Sequence, residues 1–115
     1  MILAILDDLL FTSKIRATAG KAGVNVAITR STDGAIDWMV SNRPTLVIFD
    51  LNNPRIDALG TVAAMKATPS LASIRTMGFV SHVDTATTNA ARAAGINDVL
   101  PKSLFTTTLP QILAQ

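Results

Sequence analysis

The sequence predicts a doubly wound α/β fold, in which a five-stranded parallel sheet of order 2-1-3-4-5 carries helices on both faces. Three observations indicate this fold. Short apolar runs alternate with stretches in which apolar residues recur at helical spacing. The runs are almost wholly apolar, which is typical of strands covered on both faces. Five such runs and five helical stretches alternate strictly along the chain. Right-handed crossovers turn such a series into a doubly wound sheet.

The five predicted strands are runs of four or five residues. They cover residues 2–6, 24–28, 46–49, 77–80 and 96–100. The first three helices have these apolar faces: Phe11, Ile15 and Ala19; Ile36, Met39 and Val40; and Leu59, Val62 and Ala63. We expect Gly20 or Gly23 to end the first helix and Thr32 or Asp33 to cap the second.

The fourth and fifth helices are predicted from their caps and breakers. Residues 85–94 are rich in alanine, with Asp84 as a cap and Gly95 as a stop. The fifth is predicted as a short terminal helix around residues 109–113. Pro110 would lie in its first turn, where proline is tolerated.

The composition fits one soluble domain over residues 1–115 and excludes several classes of protein. A 49% hydrophobic content with a net charge of +2 excludes intrinsic disorder. The lack of cysteine excludes a disulfide scaffold and a cysteine zinc site. No apolar run approaches the ~20 residues of a membrane span. Residues 1–6 have no preceding basic residue and end at Asp7, so we expect no signal peptide and a cytoplasmic location.

The charged residues are informative mainly through the acids. Ten lysines and arginines are spread without a run, and aromatic content is 4%, so we expect no nucleic-acid partner. All eight acids are aspartate, which favours caps, turns and metal sites. Trp38, Met39 and Met65 are interpreted as packing residues, not as a cofactor site.

Polar residues stand at the ends of four predicted strands. They are Asp7 and Asp8 after strand 1, Asp50 after strand 3, Ser81 after strand 4, and Lys102 after strand 5. Ligands of such sheets bind beyond the carboxyl ends of the strands, near the switch between strands 1 and 3. Clustered carboxylates repel, and a hard divalent ion such as Mg²⁺ relieves that repulsion. Strand 2 ends at Arg30, which we place away from the switch.

Each of these residues also has a plain structural interpretation. Asp8 is a candidate cap of the first helix, and Asp50 is a candidate turn cap before Pro54. Lys102 alone would be an exposed loop lysine. Their joint placement along one edge of the sheet favours the functional interpretation.

Four short motifs occur in order along the chain. They are the acidic pair Asp7-Asp8, a D-x-x-x-P stretch from Asp50 to Pro54, Ser81 placed 31 residues after Asp50, and Lys102 placed 21 residues further on within Gly95-Ile96-Asn97-Asp98-Val99-Leu100-Pro101-Lys102. On these motifs the sequence resembles the receiver domain of bacterial two-component response regulators, the CheY-like family with the flavodoxin-like strand order. The resemblance covers residues 2–113.

The resemblance implies a response regulator that works in phosphorelay signal transduction. Asp50 would accept a phosphoryl group from a phosphohistidine on a sensor histidine kinase or phosphotransfer protein, and Ser81 and Lys102 would stabilise the transferred group. The implied Mg²⁺ ligands are Asp7, Asp8, Asp50 and the backbone carbonyl of Asn52. Such a domain is a self-catalysed phosphoacceptor, not a turnover enzyme. It signals through a downstream protein target, without nucleic acid or membrane, and we expect it to stand alone without an output domain.

Three positions depart from the family pattern. Val99 replaces the usual aromatic residue, and Ser103 replaces a proline, so we expect a trans bond after Lys102. His82 replaces a small residue, where its ring would restrict access to Asp50, bind a phosphoryl oxygen, or lie in the loop without a role. These departures favour an alternative, a pseudo-receiver that binds partners without phosphorylation.

Two further hypotheses concern partners and cofactors. The face of helix 4, strand 5 and helix 5 would present Thr87, Thr88, Ala91 and Val99, which are small and uncharged. A homodimer on this face is one interpretation, and an alanine-rich helix without a partner is the other. A flavodoxin-fold enzyme or cofactor carrier is disfavoured, because the chain has no cysteine and no glycine-rich loop after strand 1.

Overall fold

A computed structural model describes residues 1–81 and 84–114 of the protein. The elements in chain order are β1 Ile2–Ile5, α1 Leu9–Ala22, β2 Val26–Thr29, α2 Ala35–Asn42, β3 Leu46–Asp50, α3 Ala58–Ala67, β4 Arg75–Val80, α4 Thr85–Ala94, β5 Asp98–Pro101 and α5 Lys102–Leu113. Within these residues, none of the helices has the length and apolar character needed to span a bilayer.

The sheet confirms the predicted fold class. Its strand order is β2-β1-β3-β4-β5, and all four neighbouring pairs are parallel. In register, Ile5 of β1 lies beside Thr29 of β2 and Phe49 of β3. The carboxyl ends of the strands therefore meet along one edge of the sheet, as the sequence predicted.

Two cores fill the two faces of the sheet, because successive strand residues point to opposite sides. One core packs β1, β3 and β4 residues against α1 and α5, with Phe11, Ile15 and Phe105 among its members. The other packs the alternate strand residues against α2, α3 and α4, with Met39 and Met65 fully buried. Trp38 packs against this second core, so these three residues are packing residues as predicted.

The end of α1 explains why one predicted strand begins later than expected. β2 begins at Val26, two residues later than predicted, because Val24 still belongs to the end of α1. Gly23 has a φ of 69°, and the Val24 amide donates to the Ala19 carbonyl at 3.0 Å. This left-handed closure satisfies carbonyls that the helix end would leave unpaired.

Three details of the predicted helices α2 and α3 are wrong. Val40 of the predicted α2 face is 44% exposed, and the helix instead buries Ala35 and Met39. The N-cap of α2 is Gly34, with a φ of 70°, and not Thr32 or Asp33. In α3 only Val62 of the predicted face is buried, whereas Leu59 is 43% exposed and Ala63 is exposed. The helix instead turns Ala58, Thr61, Val62 and Met65 toward the core.

The predicted short terminal helix is also wrong, because α5 begins at Lys102 and runs 12 residues. Pro110 lies well inside it, not in its first turn. The proline is exposed, so the Thr106 carbonyl that it leaves without a helical donor lies on the solvent side. Thr106, Thr107 and Thr108 fit within the helix because each hydroxyl donates to the carbonyl four residues earlier, at 2.7–2.9 Å.

Candidate functional site

The predicted strand-end residues lie along the carboxyl edge of the sheet. Asp7 and Asp8 lie between β1 and α1, Asp50 is the last residue of β3, Ser81 follows β4, and Lys102 is the first residue of α5. We call these five the rim residues. Their backbone positions follow from the parallel sheet. The side chains of four rim residues take part in three groups of contacts, and the Asp50 side chain accepts from the Asn52 backbone amide.

The first group joins Asp8 to Lys102 and to the start of α1. Asp8 is the N-cap of α1, and its Oδ1 accepts from the Phe11 amide at 3.0 Å. Its Oδ2 accepts from Lys102 Nζ at 3.2 Å. Two contacts lower the pKa of the Asp8 carboxyl below its ordinary value. The hydrogen bond from the Phe11 amide has the larger effect, and the hydrogen bond from Lys102 has the next largest. Asp8 thus fills the cap role and also lies in the predicted site.

Lys102 is held by a carboxylate and by an aromatic ring. Its Nζ lies 4.7 Å from the centroid of the Phe11 ring as well as 3.2 Å from Asp8 Oδ2. The Phe11 ring packs edge-on against Phe79 and Phe105, with centroids 5.3 and 5.8 Å away. A cation at the start of a helix meets the positive end of the helix dipole, so these contacts offset an unfavourable position.

Asp50 is half-buried at the end of β3. Its Oδ1 accepts from the backbone amide of Asn52 at 3.1 Å, which forms the predicted turn after the strand. Burial raises the pKa of the Asp50 carboxyl, and the charge of Asp8 raises it further. The Asn52 hydrogen bond and the charge of Lys102 act in the opposite direction. Asp50 is therefore within electrostatic reach of both Asp8 and Lys102.

The second group is organised by the side chain of Asn52, which sequence reasoning missed. Its Oδ1 accepts from the Ser81 amide at 2.6 Å and from the Ser81 hydroxyl at 3.0 Å. Its Nδ2 donates to Asp84 Oδ2 at 3.2 Å. Asp84 in turn caps α4 by accepting from the Thr87 amide at 3.0 Å. One amide side chain therefore connects the loop after β3, the end of β4 and the start of α4.

The third group is centred on Asp7, whose side chain is only 15% exposed. Its Oδ1 accepts from Arg30 Nε, and its Oδ2 lies 3.5 Å from Arg55 Nη1. The placement of Arg30 away from the site is thus wrong. β2 lies directly beside β1, so the residue that follows Thr29 emerges next to the residues that follow Ile5.

The rim residues and the Asn52 carbonyl have the donor chemistry of a divalent cation site. Carboxylate oxygens and a backbone carbonyl are the donors that Mg²⁺ prefers, and the repulsion between Asp8 and Asp50 is of the kind that a cation relieves. In donor chemistry the residues therefore fit the ion. Over residues 1–81 and 84–114, however, no three acidic or histidine side chains are gathered closely enough to form a metal-binding cluster. Asp7 is turned toward its two arginines.

The three departures from the family pattern have different outcomes. His82 lies outside the described residues. No cis peptide bond occurs in the described parts of the chain, in line with the trans bond expected after Lys102. Val99 is 6% exposed and Ala91 is fully buried, so the predicted face is wrong in these two residues. Both pack in the second core, because the face of α4 that carries Ala91 is turned toward β5.

The comparisons with known proteins agree with the motifs. A family model described as "Response regulator receiver domain" matches residues 2–114. No curated protein matches the chain.

Solved structures share the fold at low sequence identity. The response regulator from Hahella chejuensis has a TM-score of 0.88 at 16% identity, covering 98% of this chain and 91% of its own. The chemotaxis response regulator CheY4 of Vibrio cholerae has a TM-score of 0.83 at 20% identity, covering 97% and 93%. The receiver domain of sensor histidine kinase PA1611 from Pseudomonas aeruginosa has the same TM-score and identity, covering 97% and 92%, and its structure has a magnesium ion coordinated in the active site cleft.

Proposed function

Because this chain belongs to the response regulator receiver domain family, we propose that it accepts a phosphoryl group on Asp50 and signals through protein–protein contacts. The donor is a phosphohistidine on a sensor histidine kinase or phosphotransfer protein. The observation that carries the proposal is the setting of Asp50. It is a half-buried carboxylate at the end of β3, under the electrostatic influence of Asp8 and Lys102.

In the proposed transfer, one carboxylate oxygen of Asp50 attacks the phosphorus of the donor. The bond from phosphorus to the imidazole nitrogen breaks, the electron pair leaves with the imidazole, and Asp50 becomes an acyl phosphate. Charge spreads over the phosphoryl oxygens during transfer, so positioned cations provide most of the stabilisation. Lys102 is placed to supply such a charge, because Asp8 and the Phe11 ring fix its ammonium group at the rim.

Asp7, Asp8, Asp50 and the backbone carbonyl of Asn52 would hold the divalent cation. When bound, that ion supplies positive charge to the phosphoryl oxygens. The chain is then a self-catalysed phosphoacceptor that undergoes one modification and does not turn over a substrate.

Ser81 gives the proposed reaction a route to a signal. Its hydroxyl now donates to Asn52 Oδ1, and binding a phosphoryl oxygen would require it to leave that acceptor. The same Asn52 side chain contacts Asp84, the cap of α4. Movement of Ser81 would therefore change the contacts at the start of α4. These contacts would have two states, and the charge of the phosphoryl group would shift the balance between them.

The test is to measure phosphorylation from the mass of the intact protein. The protein is incubated with a small acyl phosphate or phosphoramidate donor, with and without Mg²⁺, beside Asp50→Asn and the matched control Asp37→Asn. We expect one phosphoryl group on the wild type and on Asp37→Asn, and none on Asp50→Asn or without Mg²⁺. Equal labelling of Asp50→Asn would refute the assignment of the acceptor.

A second candidate function is the pseudo-receiver, which keeps the fold as a binding module without phosphorylation. The ion pairs of Asp7 with Arg30 and Arg55 favour it, since they occupy a carboxylate that the metal would need. This candidate predicts a partner affinity that is unchanged by Mg²⁺ and by Asp50→Asn. A phosphorylation-dependent affinity would contradict it.

A further inference from the structure

Asp7 is enclosed by two cationic side chains that come from opposite sides of β1. Arg30 follows β2, the neighbour of β1 on one side, and Arg55 lies in the loop after β3, the neighbour on the other. The Asp7 side chain is 15% exposed, while those of Arg30 and Arg55 are 68% and 76% exposed. The carboxylate is therefore fixed in place, and the two guanidinium groups cover it from the solvent side.

Both arginines are positioned by their local backbone. Thr29 pairs with Ile5 in the sheet, and the Leu6 amide donates to the Thr29 carbonyl at 3.0 Å, so Arg30 leaves the sheet beside Asp7. The Arg55 amide donates to Asn53 Oδ1 at 2.9 Å, which shapes the loop that carries it. The contact with Asp7 follows from the strand order and the loop, not from a chance surface encounter.

The charges at the rim are balanced among these side chains. Arg30 and Arg55 neutralise Asp7, and Lys102 pairs with Asp8. A divalent cation that approaches Asp7 must displace the arginines from its oxygens and then lie close to their positive charge. Both requirements weaken its binding.

We propose that Arg30, assisted by Arg55, pairs with the Asp7 carboxylate in the place of a divalent cation and thereby sets the affinity of the rim residues for Mg²⁺. Arg30 is a positioning residue that acts through Asp7, and it need not touch a phosphoryl group. The inference rests on the proposed function only in taking the rim as the place where the cation binds.

The test measures Mg²⁺ binding itself, by isothermal titration calorimetry and by the Mg²⁺-dependent rise in thermal stability. In Arg30→Ala we expect Mg²⁺ to bind about 3- to 10-fold more tightly, from the usual strength of an exposed ion pair and the screened repulsion between like charges. Arg30→Gln, which removes the charge but keeps a polar side chain, should behave alike. Arg55→Ala should have a smaller effect, because its contact with Asp7 is longer.

Two controls separate this effect from a general change in charge. Lys21→Ala removes one positive charge from the last turn of α1, at the end of that helix opposite to Asp8, and should leave the affinity unchanged. In an Asp7→Asn background, Arg30→Ala should have no further effect, because Arg30 acts through that carboxylate. The gain in Arg30→Ala should also shrink as ionic strength rises from about 0.01 M to about 0.15 M, where the Debye length falls from about 30 Å to about 8 Å.

The outcomes distinguish this inference from the proposed function. Equal Mg²⁺ affinities in the wild type and Arg30→Ala overturn the inference, even if Asp50 is phosphorylated. An equal gain in Lys21→Ala, or no binding to any variant, overturns it as well. Tighter binding in Arg30→Ala with no phosphorylation of Asp50 supports the inference and counts against the proposed function alone.

Discussion

Asp8 combines a structural role with a charge, and two substitutions separate them. Asp8→Ala removes both the acceptor for the Phe11 amide and the partner of Lys102. Asp8→Asn keeps a side-chain oxygen that can cap α1, since asparagine caps helices as well as aspartate does. It removes only the negative charge. The difference between the two variants is therefore the contribution of the cap.

The expected magnitudes follow from these two contacts. Loss of an N-cap acceptor costs about 1 kcal/mol, within a range of about 0.5–2 kcal/mol. The ion pair is partly exposed, at 34% for Lys102 and 43% for Asp8, so it contributes about 0.2–1 kcal/mol. Asp8→Asn should lower the free energy of unfolding by no more than the ion pair contributes. Removing the charge also relieves the repulsion between Asp8 and Asp50, which offsets part of the loss. Asp8→Ala should lose about 1–2.5 kcal/mol, or about 4–10 °C in Tm for a domain of this size.

The pH dependence gives this prediction a second readout. Since the pKa of Asp8 is lowered in the folded protein, its charge stabilises the fold above the ordinary aspartate pKa of 3.8. That contribution is lost as the pH falls through the lowered folded pKa. The stability difference between wild type and Asp8→Asn should therefore vanish in acid, while the difference between Asp8→Asn and Asp8→Ala should persist.

The assay is urea unfolding followed by circular dichroism, at neutral pH and at several acidic values. The m-value must stay constant across the variants for the free energies to be compared. Equal losses in Asp8→Asn and Asp8→Ala would refute the cap as the source of the stability. A difference between wild type and Asp8→Asn that is the same at neutral pH and at every acidic pH would refute the assignment of the lowered pKa.

Two further substitutions test the site and the core that supports it. Asp50→Asn should raise the free energy of unfolding at neutral pH, because burial disfavours the charged carboxyl. This gain should fade as the pH drops through the raised pKa of Asp50, because the native wild type then takes up a proton and is no longer destabilised by the charge. Urea unfolding with the exposed Asp37→Asn as control measures it, and a loss of stability would contradict the reasoning. Phe105→Ala should cost about 3–5 kcal/mol, because its fully buried ring packs against two other aromatic rings. Leu104→Ala, at a side chain that is 46% exposed, should cost less than about 1 kcal/mol, and similar losses in the two variants would be incompatible with this core.

Much of the fold could be predicted from the sequence, because strand burial and helix spacing leave periodic patterns. The end of α4 at Gly95 and its cap at Asp84 were predicted for the same reason, since both residue types have specific backbone roles. The start of α5 was missed because the threonines and Pro110 are poor helix formers on their own. Their hydroxyl contacts and the solvent-facing position of the proline appear only once the helix is packed.

The placement of the rim residues along one edge of the sheet was predicted, but their side-chain contacts were not. Residues that follow neighbouring parallel strands must lie along one edge, so the strand-end acids could be found from the strand order. That same order contained a signal for Arg30, since β2 adjoins β1 and the residue after its end lies beside Asp7. The contact of Asn52 with Ser81 and Asp84 had no such signal, because it depends on side-chain directions in two loops.

The short contact between the Ser81 amide and Asn52 Oδ1 has a consequence for hydrogen exchange. Ser81 is exposed and follows the end of a strand, a location where backbone protons usually exchange quickly. Its amide nevertheless donates to a side-chain acceptor at 2.6 Å, so its proton should exchange more slowly than the location alone would indicate. Departure of Asn52 would remove that protection without unfolding the sheet. The exchange rate of this one proton therefore reports how often the loop after β3 opens. Nuclear magnetic resonance can measure that rate without a ligand or a partner.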